Sequence, residues 1–347
     1  MTESPAISVL MSAYNSEAHL GAAVESILAQ TERTFEFLLL DDGSSDASWA
    51  LIQQFARRDP RIQALRNPHN MGLTKTLNRG LRLAKGTYIA RLDADDIALP
   101  QRLQLQKAFL DQHPAIDVVG GAIQCFIDEQ GNPLPKQPPP LVVEPWAIAW
   151  QTRLRAMLIH PAVMFRREAI LAIGGYDENY PYSQDFALWG EAALLGRLAN
   201  LSTAVIQSRQ APSRISCRHQ QQQQILAQRI AQRNLTPYWP EPTPPTLADI
   251  ERLRFLIQFI PQHDAQADFS RALKLLQSFQ NFCQQHPGPA SVQAAQRDQL
   301  AAHLLAIIPL HNLAQAWQSG LLPALLRIAP RCCFKHLGQR LQRRLFR

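Results

Sequence analysis

FEFLLLDDGSSD, residues 35–46, joins six nearly all-apolar residues to a run of turn formers. So apolar a segment suits a strand buried on both faces, as in a parallel sheet, and Asp, Gly and Ser end it. The same grammar recurs on either side. ISVLMS (7–12) is a short apolar run followed by Asn15 and Ser16, either of which can cap a helix; over 16–30, Leu20, Val24, Ile27 and Leu28 fall on one helical face. After residue 46, Trp49, Ile52 and Phe55 mark a second helix, 62–65 a strand, and Leu73, Leu77, Leu81 and Ala84 a helix over 72–85. YIARL (88–92) is another strand, Pro100 suits the first turn of a helix reaching His113, and 118–126 is strand-like. Repeated strand–helix units predict an α/β fold: a largely parallel sheet with helices on both faces.

Farther on the texture changes. NPLPKQPPP (132–140) reads as a loop or hinge, AVMFR (162–166) as a strand, GGYDE (174–178) as a turn and 183–195 as a helix. RHQQQQQ (218–224) and TPYWPEPTPPT (236–246) bracket a boundary, beyond which a Leu-, Ala- and Gln-rich remainder predicts helices. The formal charge of the 347 residues is +7, but residues 1–200 carry −4 and residues 201–347 carry +11. The basic character therefore belongs to the C-terminal part.

With 46% apolar and 18% charged residues the chain is a folded protein, and 15 Gly and 25 Pro without a period exclude a collagen-like one. Five cysteines without CxxC spacing argue against a disulfide framework or a zinc site and fit a reducing compartment. The N-terminus lacks the basic region of a signal peptide, and the apolar stretch 304–329 is interrupted by Pro309, His311, Asn312, Gln318, Pro323 and Arg327. No membrane span is expected, and a cytoplasmic location is the default.

In an open parallel sheet, ligands bind beyond the C-terminal strand ends. Three polar clusters stand there: SAYN (12–15), DDGSSD (41–46) and DADD (93–96). In an extended segment residues i and i+2 project to one side, so Asp93 and Asp95 can face one ligand. Two close carboxylates repel unless a cation or donor lies between them, and a hard divalent ion with oxygen ligands answers that need. GxxxxGK[ST] and GxGxxG are missing, so a diphosphate would be held through metal and side chains.

These motifs, together with NMGLTKTLNRGLRLAKGTYIARLDADDIALPQRL (70–103), HPAVMFRR (160–167), GGYDENY (174–180) and SQDFALW (183–189), resemble glycosyltransferase family 2. The likeness covers roughly residues 5–217. It implies a GT-A type fold, a nucleotide-diphospho-sugar transferase with a Rossmann-like, mostly parallel sheet flanked by helices, here with a mainly helical C-terminal extension. Residues 1–220 would form the catalytic domain, donor half about 1–125 and acceptor half about 126–220, with a basic extension over 221–347. By the same resemblance Ala13, Tyr14 and Asn15 line the nucleoside pocket with Glu17 nearby, and Asp42 accepts a hydrogen bond from the base. Asp93 contacts the ribose or the metal shell, Asp95 ligates Mg²⁺ or Mn²⁺, Lys75 is a cationic partner for the nucleotide, and Asp185 is the general base. The implied reaction inverts the anomeric carbon of a nucleoside-diphosphate sugar, UDP-linked by preference. The acceptor is a saccharide or lipid-linked saccharide, in cell-surface polysaccharide or lipopolysaccharide assembly.

Two positions depart from the family pattern: Gln184 replaces the Glu of its ED pair, and Ala211 stands at a position that is His in many relatives. Structural readings compete with functional ones at several sites. Asp42 and Asp46 can cap a helix, and Asp185 near a helix start suits the macrodipole. His160 either touches the acceptor or ends a loop, Trp189 is core packing or a sugar platform, and Gly174 and Gly175 shape the acceptor wall or a plain turn. The basic 327–347 segment mixes apolar and cationic positions as interfacial helices do, so peripheral membrane contact competes with a solvated helix. Its aromatics are not interleaved as a nucleic-acid surface requires. A nucleotidyltransferase and a degenerate sugar-nucleotide-binding scaffold are the alternative functions.

Overall fold

A computed structural model of the chain describes residues 5–195, 197–210, 219–257, 269–306, 308 and 312–345. It divides into two compact units, Met1–Ala149 with Ala156–Leu226, and Trp150–Arg155 with Ala227–Arg347. The first holds an eight-stranded sheet: β1 (Ile7–Ala13), β2 (Phe35–Asp41), β3 (Ile62–Arg66), β4 (Tyr88–Arg91), β5 (Ile97–Ala98), β6 (Val118–Ile127), β7 (Met164–Arg166) and β8 (Leu198–Arg209). Its order is β3-β2-β1-β4-β7-β6-β8-β5. β3, β2, β1 and β4 run parallel, as do β6 and β8, whereas β7 is antiparallel to both β4 and β6 and β5 is antiparallel to β8. The expected parallel sheet is therefore mixed in its second half.

The helices of this unit are α1 (Glu17–Leu28), α2 (Ser48–Arg58), α3 (Leu73–Leu83), α4 (Arg102–Gln112), α5 (Pro145–Gln151, which reaches the division between the units), α6 (Arg167–Ala172) and α7 (Gln184–Leu194). Alternation along β1 decides which side each one covers. Ile7, Val9, Met11 and Ala13 pack in one cluster with Leu20, Ala23, Val24 and Ile27 of α1 and with Phe35, Phe37 and Leu39 of β2. Leu10 and Leu40 point to the other face and meet α3, where a Cβ on Gly80 would come within 2.2 Å of Leu10 Cδ1. Strand β8 escapes the sequence reading because polar residues interrupt LANLSTAVIQSR and hide its period of two.

The second unit is helical: the end of Gln220–Leu235, then Leu247–Ile257, Phe269–Gln285, Ala290–Ala306, Leu313–Gln318, Leu321–Ile328 and Pro330–Leu345. The Trp150 ring lies 5.1 Å from that of Phe279 and 5.4 Å from that of Phe282. These contacts place Trp150–Arg155 here, inside a stretch expected to belong wholly to the acceptor half. Among the described residues no helix is long and apolar enough to cross a membrane. Cys125, Cys283, Cys332 and Cys333 are free thiols. Cys217 and Ala211 lie outside the described residues.

Candidate active site

The loops after β1 and β2 brace one another. Ala13 is buried, and its carbonyl accepts the Asp42 N–H at 2.8 Å. Tyr14 is 48% exposed beside it, open to a ligand. Asn15 adopts a left-handed φ of 47°, which its short amide tolerates. Its N–H donates to Ser44 Oγ (3.0 Å) and its Oδ1 accepts the Ser45 N–H (2.9 Å). Glu17 and Asp46 exchange places across two helix starts: Glu17 Oε2 accepts the Ala47 N–H (2.8 Å), and Asp46 accepts those of Glu17 (3.1 Å) and Ser48 (2.9 Å). Carboxylates suit these positive helix ends.

Asp42 does something the capping argument misses. It is buried, and it holds the loop before α3 rather than the start of α2: Asn67 Nδ2 (2.7 Å), Met71 N–H (2.9 Å) and Gly72 N–H (3.0 Å) all donate to it. Gly43 makes this approach possible, since with φ 72° a Cβ there would lie 2.5 Å from the His69 carbonyl carbon. Lys75 sits exposed in the first turn of α3.

DADD is not extended as expected. It turns, with the Asp96 N–H 3.3 Å from the Asp93 carbonyl, and the turn brings in a third carboxylate. One oxygen from each of Asp93, Asp95 and Asp96 lies within 4.8 Å of the others. This set of hard oxygen donors fits a Mg²⁺- or Mn²⁺-class cation. Arg209 locks the turn: its N–H donates to Asp96 Oδ1 (2.8 Å) and its Nε to the Asp95 carbonyl (2.9 Å). Beneath it lie two buried guanidiniums. Arg91 donates to the Asp93 carboxylate, while its Nε and Nη1 have no hydrogen-bond partner among the described residues. Arg102 donates to the carbonyls of Arg91 and Val163. Burial, helped by the Arg91 charge, pulls Arg102 down to about 9 against the attraction of Asp96.

Asp185 stands in the first turn of α7. Loss of solvent pushes its carboxyl above the ordinary value of 3.8; the Phe186 N–H, Arg91 and its own N–H resist, and Asp93 adds to the rise. A raised carboxylate pKa suits a general base working near neutrality. Gln184 is buried, and Trp189 is completely buried, so its indole packs in the core and offers no sugar platform. His160 Nε2 lies 2.9 Å from the Tyr176 hydroxyl. Burial, with Arg91 adding to it, holds the imidazole well below 6.5, so it is neutral. Burial raises the Tyr176 phenol. Gly174 and Gly175 both take positive φ, at 91° and 73°.

Four residues not singled out from sequence belong to this site: Asn78, Arg91, Asp96 and Tyr176. An arginine inside the otherwise apolar YIARL was the legible signal, since a charge on a buried strand needs a partner.

A family model described as Glycosyl transferase family 2 matches residues 8–174. The chain is 32% identical over 206 residues to the amylovoran biosynthesis glycosyltransferase AmsE of Erwinia amylovora, covering 58% of this chain and 75% of that one. Among solved structures it resembles TarS residues 1–349 of S. aureus in complex with UDP (TM-score 0.52, 17% identity, 87% of this chain and 81% of that one). It also resembles the mannosyltransferase PcManGT of Pyrobaculum calidifontis in complex with GDP-Man and Mn²⁺ (TM-score 0.50, 16% identity, 97% and 88%).

Proposed function

The chain belongs to glycosyltransferase family 2, with a GT-A type fold, and on that premise we propose that it transfers a sugar from a UDP-sugar to an acceptor hydroxyl with inversion. The observation that carries this reading is the convergence of the Asp93–Asp95–Asp96 turn and Asp185 on one buried charge, Arg91. Residues 1–220 do the catalytic work, about 1–125 on the donor side and 126–220 on the acceptor side, with 221–347 as an extension. Asp93 and Asp95, with Asp96 beside them, would hold Mg²⁺ or Mn²⁺, which offsets negative charge on a leaving diphosphate.

This chain's own residues do the rest. Ala13, Tyr14, Asn15 and Asp42 form the nucleoside end, and Lys75 on its exposed first turn is the cation for the phosphates. Asp185 takes the proton of the acceptor hydroxyl as that oxygen bonds to the anomeric carbon and the carbon–diphosphate bond breaks on the opposite face. His160, neutral and held by Tyr176, lies beside the acceptor. The UDP bound by TarS supports the base, and the role of AmsE in amylovoran biosynthesis supports cell-surface polysaccharide assembly, with a saccharide or lipid-linked saccharide as acceptor.

Thermal shifts with UDP-, GDP- and dTDP-sugars in Mn²⁺ test the donor. A ligand at a hundred times its Kd stabilises by about 2.7 kcal/mol, so the UDP-sugar series should stand out. Equal, negligible shifts throughout would overturn the reading.

For the extension we propose peripheral contact with the inner face of the membrane. Arg331 and Lys335 are exposed on the same helix as Phe334, itself 71% exposed, and Arg327 is exposed on the helix before it; cations beside an exposed aromatic suit an anionic lipid interface. Co-sedimentation with anionic vesicles should fall in a Phe334→Ala/Lys335→Ala variant; unchanged or absent binding of the native chain would refute it.

A further inference from the structure

Helix α3 reaches both sides of the site. At its start the Met71 and Gly72 N–H groups go to Asp42. Farther along, Thr74 Oγ1 donates to the Tyr180 carbonyl (3.0 Å), and Asn78 grips Tyr176 twice. Its Nδ2 donates to the Tyr176 carbonyl (2.8 Å) and its Oδ1 accepts the Tyr176 N–H (2.9 Å), across 98 residues of sequence. Nδ2 also lies 3.1 Å from Glu178 Oε1.

A side-chain amide is well matched to this task. It offers a donor and an acceptor in one plane, as a neighbouring strand would. Asp in its place keeps only the acceptor, and a carboxylate would also face Glu178. The loop is built around that amide: at Gly175, φ is 73° and a Cβ would sit 2.9 Å from Asn78 Oδ1. Asn78 is buried, so neither bond can be replaced by bulk water. Tyr176, once held, sets its hydroxyl 2.9 Å from His160 Nε2. The His160 ring lies edge-on to Trp189, one helical turn after Asp185 on α7.

We propose that Asn78 is a positioning residue for the acceptor wall: it fixes Tyr176, and through Tyr176 the His160 ring, and so governs acceptor capture rather than nucleotide capture. This rests on the reading of the cleft as a sugar-transfer site, but the chain Asn78–Tyr176–His160 can be tested apart from it.

The first arm is spectroscopic. In full-length protein with ¹⁵N-labelled histidine, the His160 ring signals are assigned by their absence in His160→Gln. Tyr176→Phe removes the hydroxyl partner and shifts them. Asn78→Ala should shift the same signals in the same sense, with affinity for UDP in Mn²⁺ kept within about twofold of the native value. Should Asn78→Ala not fold, Asn78→Asp serves in its place, since it keeps the acceptor for the Tyr176 N–H. The second arm is kinetic, with UDP-GlcNAc as donor probe and a panel of methyl glycosides as acceptor probes. Asn78→Ala should raise acceptor KM at least about tenfold with donor KM within about twofold. His160 signals unmoved in a folded Asn78 variant, or a loss confined to UDP affinity, would overturn the proposal. If the native protein transfers to no probe, the kinetic arm counts against the transfer reading, and the histidine signals still decide the clamp.

Discussion

The donor and acceptor sides of this site are built by different means. On the donor side, carboxylates and an amide meet main-chain N–H groups. Asn15, Glu17, Asp42 and Asp46 each satisfy donors in a neighbouring loop about thirty residues away or nearer. On the acceptor side, apart from the Asn78 amide on the Tyr176 main chain, side chain meets side chain in buried surroundings, with Arg91, His160 and Tyr176 all nearly inaccessible. The first arrangement is a scaffold whose charges are already satisfied by the fold. The second is an electrostatic device, in which burial first and one guanidinium second act on His160, Tyr176 and Asp185, while the same guanidinium donates to Asp93. Damage to the donor side should therefore register first in stability, and damage to the acceptor side first in chemistry.

Asp185→Asn is the sharpest test of that contrast. Removing a general base costs about 10²–10⁴-fold in turnover, while affinity for UDP in Mn²⁺ should hold. Asp95→Asn should also abolish transfer, but with loss of Mn²⁺-dependent UDP affinity, because it changes the ion's donor set. Titration calorimetry beside single-turnover transfer separates the two. The native pH profile carries the same signature. As the proposed base Asp185 works deprotonated, and burial raises its pKa, so activity should fall with decreasing pH at values above the ordinary 3.8. Undiminished turnover in Asp185→Asn would remove the base from the acceptor side altogether.

Asp42→Ala probes the scaffold. It leaves the Asn67 amide and the Met71 and Gly72 N–H groups without their carboxylate. Hydrogen bonds to a charged group are worth about 1.5–3 kcal/mol each and do not add fully, so a loss of about 3 kcal/mol in urea unfolding is expected. A fully stable Asp42→Ala that binds UDP poorly would show the donor carboxylate to be tuned for ligand instead, and the contrast would collapse.

The same division explains what could be read from the sequence. The first four parallel strands and α1 to α4 announce themselves because local apolar periodicity is all they need. Each polar cluster at a strand end is contiguous, so 12–15, 41–46 and 93–96 are visible as motifs. The acceptor side and the Arg91 charge that faces it bring together Arg91, His160, Tyr176 and Asp185, spread over 95 residues of sequence, and no period links them. Resemblance to a family points to Asp185 and His160; it does not point to Asn78, whose partner lies 98 residues away. Asp96 stands in plain view within DADD, but an extended segment sends it to the wrong side. The turn reverses that geometry, and Arg209, from a strand hidden by its polar residues, holds it there.

The smallest expected effect concerns His160, and its sign can be worked out. Burial, with Arg91 reinforcing it, depresses the folded-state pKa of His160 well below its ordinary 6.5. The unfolded chain therefore takes up the proton first as pH falls. The neutral ring contributes stability that is present above pH 6.5 and lost below it, as pH falls toward the folded pKa, at a slope approaching about 1.4 kcal/mol per pH unit. His160→Gln keeps an amide facing the Tyr176 hydroxyl and has no proton to gain. The native protein should thus lose stability between pH 6.5 and 5.5 faster than His160→Gln, by an amount up to about 1 kcal/mol, since the unfolded histidine is already half protonated at pH 6.5. Paired urea titrations at the two pH values measure the difference. Parallel losses in the two proteins would mean that His160 charges without penalty in the folded state, and the acceptor wall would then be no more tuned than the donor scaffold.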